Sequence, residues 1–293
     1  MSHRSGFVNI IGNPNVGKST IMNALVGEKL SIITSKAQTT RHRIMGIVNG
    51  EDFQIVYSDT PGIIKPQYKL QEAMMSFVKV ALSDADVILY VTDVKENPDD
   101  DREFKEKLRE TDIPLIIAVN KIDLTDQEKL EKICEAWRVL FPGKPVIPVS
   151  GLNKFNMDTL LNAILNMLPE GEPYFPKDQL TDRYERFFAS EILREKILVN
   201  YKKEVPYSVE VEIESFTEEE KITKIRAVIH VARESQKGII IGHRGSMLKK
   251  VGTEARYDME SFFGRKIFLE LYVRVEKDWR DKPAMLKRFG YSH

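Results

Sequence analysis

The 293-residue chain has one cysteine, two tryptophans and no net charge, since 44 lysines and arginines balance 44 aspartates and glutamates. The single thiol, Cys134, cannot form an internal disulfide, which excludes a disulfide-stapled secreted domain. No apolar run approaches the roughly 18 residues of a membrane-spanning helix. The first strand is expected at residues 7–11, which leaves no room for a signal peptide. We expect a cytoplasmic protein, with at most a weak peripheral association with the inner face of the cell membrane.

The zero net charge conceals an uneven distribution along the chain. Residues 233–293 carry 14 lysines and arginines against 8 acidic residues, so the rest of the chain is correspondingly negative. A basic segment at one end of a protein with no net charge indicates an anionic partner for that end of the chain.

The feature that organises the sequence is a phosphate-binding loop, Gly12-Asn13-Pro14-Asn15-Val16-Gly17-Lys18-Ser19-Thr20. It fits the pattern G-x-x-x-x-G-K-[ST] and lies between an apolar strand and a helix, as that motif requires. Glycines let backbone N–H groups surround phosphates, and the helix N-terminus adds partial positive charge. Lys18 is expected to reach the β- and γ-phosphates, and the Ser19 hydroxyl to bind Mg²⁺.

Two later stretches are candidates for sensing the γ-phosphate. Residues 31–43 read as a mobile polar loop containing Gln38-Thr39-Thr40-Arg41-His42, whose hydroxyls could complete the coordination of Mg²⁺. The strand 53–59 ends in Asp59-Thr60-Pro61-Gly62. Asp59 is expected to hold a water of the Mg²⁺ shell, and the Gly62 backbone N–H to approach the γ-phosphate.

A further motif, Asn120-Lys121-Ile122-Asp123, selects the base. The Asp123 carboxylate can accept hydrogen bonds from N1–H and the exocyclic amine of guanine, whereas adenine would leave it unpaired. Asn120 would face the O6/N7 edge, and the stem of Lys121 would cover the ring. A backbone N–H of the later segment Ser150-Gly151-Leu152 could meet the guanine O6.

The pattern of apolar residues predicts an α/β domain with a mixed, mostly parallel sheet and helices on both faces. Expected strands are 7–11, 44–49, 53–59, 87–92, 114–119 and 146–149, and expected helices are 19–26, 69–83, 100–110, 126–141 and 157–168. All the phosphate and base motifs follow strands, so they should meet at the carboxyl ends of the sheet. We place this domain at residues 1–170, a linker at 171–180 and a smaller α+β domain at 181–293.

The second half contains the loop Gly242-His243-Arg244-Gly245 in a setting that suggests RNA. A long amphipathic helix (181–202) and two strands (205–216 and 222–232) precede it, and a helix (246–263) and a strand (266–275) follow. G-x-x-G is a weak signal by itself, since a tight turn would also explain it. Its position before a helix with two lysines makes it informative. The expected RNA-binding residues are Ile240, Ile241, Gly242, His243, Arg244, Gly245, Lys249 and Lys250.

Taken together, these motifs resemble a known family. Residues 5–170 are similar to translation-factor-class P-loop GTPases, and the Gln38–His42 segment with the following helix-first KH domain resembles the bacterial Era GTPases. The resemblance implies that Thr40, or failing it Thr39, contacts Mg²⁺ in the first switch, and that Asp59 lies in the second. In a KH domain the loop clamps a single strand over about four nucleotides.

The resemblance also implies roles for individual positions. Lys18, Thr40 and Gly62 are the expected catalytic residues. Where Ras-like proteins have a water-orienting glutamine this chain has Ile63, so unassisted hydrolysis should be slow. Asn15 occupies the position at which related GTPases bind K⁺, which makes potassium a candidate cofactor beside Mg²⁺. Gly151 replaces the usual alanine of the guanine loop, with little effect expected.

The resulting hypothesis is a GTP-hydrolysing switch, expected to be monomeric, that binds single-stranded RNA. The resemblance implies that this RNA is the 3′ end of 16S ribosomal RNA and that the protein assists maturation of the 30S subunit. Nucleotide would order residues 31–43 and 60–68 and thereby govern RNA binding. One alternative is a signalling GTPase whose C-terminal domain binds a protein. A metabolic P-loop kinase is another, which the guanine motif disfavours.

Overall fold

A computed structural model describes residues 2–291 of the chain. They divide into two compact units. The first unit contains the chain up to Ser31, then Thr40–Lys65 and Met74–Asp182. The second contains Ile32–Thr39, Pro66–Ala73 and the chain from Arg183 onward. Two short stretches from the first half of the sequence therefore fold with the second half.

The first unit is built on a six-stranded sheet in the order β2-β3-β1-β4-β5-β6. The strands are β1 (Arg4–Ile11), β2 (Ile44–Asn49), β3 (Phe53–Asp59), β4 (Val87–Asp93), β5 (Leu115–Asn120) and β6 (Val146–Pro148). Only β2 runs antiparallel to its neighbour; all other pairs are parallel. The predicted mixed, mostly parallel sheet is confirmed.

Helices connect these strands because each parallel pair needs a crossover. They are α1 (Lys18–Val26), α2 (Lys69–Ser83), α3 (Arg102–Arg109), α4 (Gln127–Leu140) and α5 (Met157–Met167). Every residue of β4 is buried, as expected of a strand covered on both faces. On one face Tyr90, Trp137 and Phe141 pack ring against ring.

Residues 171–182 run alongside the antiparallel edge of the first unit rather than standing free. Gln54 binds this segment through the carbonyl of Phe175 and the N–H of Tyr174, and Ile47 N–H donates to the carbonyl of Leu180. The Thr181 hydroxyl donates to the carbonyl of Met45 at 2.7 Å. The glycine- and proline-rich sequence lacks regular structure here but is anchored by hydrogen bonds.

The second unit places helices against a three-stranded sheet in the order β7-β8-β9, with β8 and β9 parallel. Its elements are α6 (Glu185–Asn200), β7 (Val209–Glu218), β8 (Thr223–Val231), α7 (Glu234–Ile241), α8 (Ser246–Phe263), β9 (Ile267–Val275) and α9 (Pro283–Arg288). The helix-first order agrees with the sequence. Helix α7 and helix α9 were not predicted, because one turn or two of helix carries too little periodicity.

The C-terminal segment closes over the far face of this sheet. Arg288 binds both carboxylate oxygens of Glu212 on β7, at 2.8 and 2.7 Å, and the Tyr291 hydroxyl donates to Glu210 at 2.6 Å. Trp279 is fully buried and donates to the carbonyl of Ser208. These contacts attach residues 279–291 to β7 and to the residue that precedes it.

His230, buried under this segment, predicts a loss of stability in acid. Its Nε2 lies 2.9 Å from Glu212, while Nδ1 has no hydrogen-bond partner. Burial lowers the pKa of His230 below its ordinary 6.5, and the positive charges of Arg288 and Arg274 act in the same direction against the attraction of Glu212. Below pH 6.5 the unfolded chain therefore binds a proton that the folded chain does not, and stability falls as the pH decreases towards the folded-state value.

His230→Gln should remove part of this acid sensitivity. We expect the free energy of unfolding to fall less steeply between pH 6.5 and 5 than in the unaltered protein, by up to about 1.4 kcal/mol per pH unit. Urea titrations across this range measure the slope. His243→Gln, at an exposed position, is the matched control, and identical slopes in all three proteins would contradict the prediction.

Within residues 2–291, no helix is both long and apolar enough to cross a membrane.

Candidate functional site

The loop between β1 and α1 forms the centre of the candidate site in the first unit. The Lys18 ammonium lies inside the loop and donates to the carbonyls of Gly12 and Asn13 at 3.0 and 2.8 Å. Burial lowers the pKa of Lys18 to about 8, while the nearby carboxylates of Asp59 and Glu96 limit that fall. A buried cation at the start of a helix is well placed to bind an anionic group.

Three predicted Mg²⁺ ligands meet beside this lysine. The Ser19 hydroxyl donates to Asp59 Oδ2 at 2.6 Å and lies 2.9 Å from the hydroxyl of Thr40, which is itself 3.2 Å from the same carboxylate oxygen. They come from three separate parts of the chain: the start of α1, the loop before β2 and the end of β3. It is the Thr40 hydroxyl that lies at this point, whereas the Thr39 hydroxyl bonds to Thr34 and to the carbonyl of Lys36.

The donor set fits a magnesium ion. The Asp59 carboxyl is fully buried, its Oδ1 has no hydrogen-bond partner, and burial raises its pKa although Ser19 and Lys18 stabilise the charged form. A cation would satisfy that oxygen and stabilise its charge. In the part of the chain that the structure describes, no three His, Cys, Asp or Glu residues group as a metal site. Hard hydroxyl and carboxylate oxygens completed by phosphate are typical of Mg²⁺.

The residues after Asp59 bring backbone close to the phosphate loop. The Thr60 hydroxyl donates to the carbonyl of Ile10, and a Cβ on Gly62 would lie 2.8 Å from the Cα of Pro14. Only glycine at position 62 therefore lets the backbone there lie this close to Pro14 of the phosphate loop. Ile63 N–H donates to the carbonyl of Gly12, and its side chain packs against the core between β4 and α4. An aliphatic side chain in that position cannot orient water.

The predicted base-selecting residues lie at the ends of β5 and β6. The exposed Asp123 accepts a hydrogen bond from the Ser150 hydroxyl at 2.6 Å, which fixes the orientation of its carboxylate. Asn120 is buried; its amide donates to the carbonyl of Val16 and accepts from the Gly151 N–H. The interpretation that placed Asn120 and Gly151 against guanine did not anticipate these two contacts, which join the phosphate loop to the loop after β6.

Lys121 supports the loop as well. Its ammonium donates to the carbonyl of Asn15 and forms an ion pair with Asp93 at 2.6 Å. Asp93 was not singled out in the sequence, although its position at the carboxyl end of β4 could have suggested it. The flanking residues Ile122 and Leu152 are partly and largely exposed, respectively.

In the second unit, the G-x-x-G loop joins α7 to α8. Gly242 and Gly245 have φ of +73° and +78°, and Arg244 between them has φ of +49°. His243 and Arg244 are exposed, as are Lys249 and Lys250 on the first turns of α8. These four side chains and the exposed backbone form a basic surface suited to phosphates.

One predicted contact of this loop needs correction. Ile240 is completely buried among the core residues of the unit, so its side chain cannot pack against a base. Ile241 is partly exposed, and Ile239, which was not named from the sequence, is 48% exposed. The reason is the helical geometry of α7, which turns one of three successive isoleucines inward.

A groove of about 360 Å³ lies next to the loop. It runs between α8, which contributes Leu248, Lys249 and Arg256, and the strand β9, which contributes Leu269 and Leu271. It combines apolar side chains with two cations. Such a lining suits unstacked bases with their phosphates at the rim.

The second unit also holds the residues just before Thr40. Arg194 on α6, paired with Glu191, donates to the carbonyls of Gln38 and Thr39. Lys36 donates to the carbonyls of Leu198 and Tyr201 at the end of α6. Residues 32–39, part of the stretch 31–43 predicted as a mobile loop, have no regular structure but make several charged contacts.

Similar sequences share both halves of this arrangement. Residues 7–121 match the family described as 50S ribosome-binding GTPase, and residues 204–280 match the KH domain family. The GTPase Era of Syntrophus aciditrophicus is 47% identical over 293 residues, which cover 99% of this chain and 95% of that protein. The GTPase Era of Alkaliphilus metalliredigens is 44% identical over 296 residues and is covered completely, as is this chain.

Two solved structures are similar over nearly the whole chain. One is an Era variant from Aquifex aeolicus bound to GDP and AlF4⁻, with a TM-score of 0.95, 39% identity and coverage of 99% of this chain and 100% of that one. The other is Era in complex with MgGDPNP and nucleotides 1506–1542 of 16S ribosomal RNA, with the same TM-score, identity and coverage.

Proposed function

We propose, from the premise that this chain belongs to the Era family of GTPases, that it hydrolyses GTP and uses the bound nucleotide to control binding of the 3′ end of 16S ribosomal RNA during maturation of the 30S subunit. The observation that carries the proposal is the presence of both functional halves in one chain. Ser19, Thr40 and Asp59 meet beside a buried lysine in one unit, and an exposed basic G-x-x-G loop lies beside a groove in the other.

In the nucleotide site, Gly12–Thr20 would hold the phosphates through backbone N–H groups, with Lys18 between the β- and γ-phosphates. Ser19, Thr40 and Asp59 would hold Mg²⁺ directly or through water. When bound, the ion neutralises charge that develops on the phosphate oxygens. Thr60, Pro61 and Gly62 would approach the γ-phosphate, and Asp123, oriented by Ser150, would select guanine.

Hydrolysis by the protein alone should be slow. Since Ile63 points into the core, no side chain at this position aligns the attacking water. Lys18 and the backbone N–H of Gly62 remain to stabilise the charge on the transferred phosphoryl group. Potassium bound near the exposed Asn15 is a hypothesis that a comparison of K⁺ with Na⁺ in the hydrolysis assay would test.

In the RNA unit, Gly242–Gly245 with Lys249 and Lys250 would contact the backbone of a single strand, and the groove would take its bases. Partly exposed Ile241 can contribute to that surface, whereas Ile240 serves the core. We propose that residues 1–170 form the GTP-hydrolysing part and that residues 181–293 form the RNA-binding part. A monomer acting in the cytoplasm is proposed, with any membrane contact peripheral.

The peptide bond between Thr39 and Thr40 offers a route by which nucleotide could influence RNA binding. The Thr39 carbonyl accepts from Arg194 in the RNA unit, and the Thr40 hydroxyl lies at the metal site. A displacement of Thr40 when the γ-phosphate leaves would act on Thr39, its neighbour in the chain, and so on the contact with Arg194. A change in RNA affinity requires that the two nucleotide states favour different arrangements of this segment.

Titration of a short RNA with the sequence of the 16S 3′ end tests the proposal. We expect tighter binding in the presence of a non-hydrolysable GTP analogue than with GDP, by about fivefold to a hundredfold, as is typical of allosteric coupling. Affinity should fall steeply with salt because phosphate contacts release counterions. Equal affinity in the two nucleotide states would refute nucleotide control, and failure to bind this RNA at low salt would refute the RNA assignment.

The alternative of a signalling GTPase with a protein-binding C-terminal domain is not favoured. Residues 204–280 of this chain match the KH domain family, and similarity to an RNA-bound Era extends over 99% of the chain.

A further inference from the structure

Glu96, in the loop after β4, is a buried carboxylate near Lys18 that belongs to none of the nucleotide-binding motifs. Its side chain is only 8% exposed and is surrounded by donors. The hydroxyls of Tyr90 and Thr92 donate to it at 3.1 and 2.9 Å, and the Asn13 amide donates to it at 3.1 Å. It thus links the interior of the sheet to the first turn of the phosphate loop.

The charge of Glu96 is balanced by a lysine with no exposed surface. Lys105 on α3 forms an ion pair with Glu96 at 3.0 Å and lies 4.7 Å from the ring centre of Trp137. Its ammonium also donates to the carbonyls of Asn97 and Pro98. A buried ion pair is costly to form unless its geometry is well satisfied, and it is weak evidence for stability by itself. Such a pair can instead serve to fix the position of a neighbouring group.

That role is suggested by what Asn13 does at its other end. The side-chain amide of Asn13 donates to Glu96. The main-chain carbonyl of the same residue accepts from the Lys18 ammonium at 2.8 Å. A second support of the loop occurs two residues later, where the main-chain carbonyl of Asn15 accepts from Lys121, which pairs with Asp93 at the end of β4. Two carboxylates therefore support the phosphate loop at two positions, Glu96 by a direct hydrogen bond and Asp93 through Lys121.

We propose that Glu96 is a positioning residue for the phosphate loop: with its charge balanced by Lys105, it fixes Asn13 and so keeps Lys18 aimed at the β- and γ-phosphates. Asn13 and Pro14 lie in the half of the loop that Gly62 approaches, which is the half expected to meet the γ-phosphate. Loss of the brace should weaken binding of GTP more than binding of GDP. The proposal rests on the nucleotide site proposed above.

Two double variants separate positioning from packing. Both carry Lys105→Met, so that neither leaves a buried lysine unpaired. Glu96→Gln keeps an acceptor for Asn13, whereas Glu96→Leu removes it. We expect the Glu96→Leu, Lys105→Met protein (the Leu/Met protein) to bind a non-hydrolysable GTP analogue about tenfold more weakly than the Glu96→Gln, Lys105→Met protein (the Gln/Met protein). The reason is that the hydrogen bond from Asn13 to residue 96 should contribute about a factor of ten in affinity. GDP affinity should change by less than about threefold.

Asn13→Ala, introduced alone and in both double variants, makes the test specific. Asn13→Ala should lower the affinity for the GTP analogue about tenfold in the unaltered protein and in the Glu96→Gln background. It should have almost no effect in the Glu96→Leu background, because the contact between residues 13 and 96 is already missing there. Equal analogue affinity in the two double variants, or an Asn13→Ala effect that is the same in every background, would overturn the proposal.

If the Leu/Met protein does not fold, the single Asn13→Ala variant decides the question, because it leaves the buried pair intact. A loss of analogue affinity below about threefold would refute the brace. Failure of the unaltered protein to bind either nucleotide would instead refute the nucleotide site itself.

Discussion

Asp123→Asn is expected to weaken GTP binding about 10⁴-fold and to shift the preference of the protein to xanthosine triphosphate. The carboxylate offers two acceptors to the N1–H and amine of guanine, whereas an amide offers one acceptor and one donor. Xanthine has a carbonyl in place of the amine and so matches the amide. Sites built on such hydrogen bonds reject mismatched partners by factors of about 10⁴–10⁵.

Competition of GTP and xanthosine triphosphate for a fluorescent nucleotide measures this effect. Asp126→Asn is the matched control: it makes the same chemical change three residues away, where the aspartate caps α4 and is exposed. Asparagine is as good a helix cap as aspartate, so this variant should keep its preference for GTP. If xanthosine triphosphate failed to compete in Asp123→Asn, the assignment of Asp123 to the base would be wrong.

The second large effect is expected at Gly245. Gly245→Asp should reduce affinity for the 16S 3′ RNA about a hundredfold, since placing a carboxylate against phosphates costs several kcal/mol. A Cβ at this position would meet no atom within 4 Å, although φ of +78° is unusual for any residue other than glycine. Gly245→Asn is the control, because asparagine has the same shape, tolerates that φ and carries no charge.

The difference between the two variants isolates the electrostatic effect. Gly245→Asn should lower the affinity for the RNA less than about tenfold. The difference in RNA affinity between Gly245→Asp and Gly245→Asn should become smaller at high salt, because salt screens the charges. Hydrolysis of GTP without RNA should be unchanged in both proteins, since the loop belongs to the RNA unit. Equal losses for Asp and Asn would show that the loop does not approach phosphates.

The sequence predicted the sheet well because the sheet depends on local pattern, and the same pattern defined the candidate nucleotide site. The apolar run that begins β4 is short and is typical of a strand covered on both faces, and its neighbours follow from the alternation of strands and helices. Motifs that end parallel strands must meet at one edge of the sheet, so Lys18, Asp59 and Asp123 could be grouped without a structure.

What the sequence did not reveal depends on contacts between distant residues. Glu96 and Lys105 look like members of an ordinary charged stretch, and only the fold shows that both are buried. Asn120 was matched to guanine by its motif, whereas its bonds to Val16 and Gly151 require three loops to be in place. Ile240 was assigned to a groove because three successive isoleucines have no pattern from which an inward face could be chosen.

The assignment of residues 32–39 and 66–73 to the second unit bears on how this protein is studied in pieces. A protein truncated after Asp182 would retain all the residues proposed to touch GTP. It would lack Arg194, which donates to the carbonyl of Thr39, and the carbonyls of Leu198 and Tyr201, which accept from Lys36. It would also lack Asp281, which accepts from the N–H of Lys69. Turnover rates or inhibitor screens obtained with such a fragment would therefore report on switch segments released from their packing, and would transfer poorly to the intact enzyme.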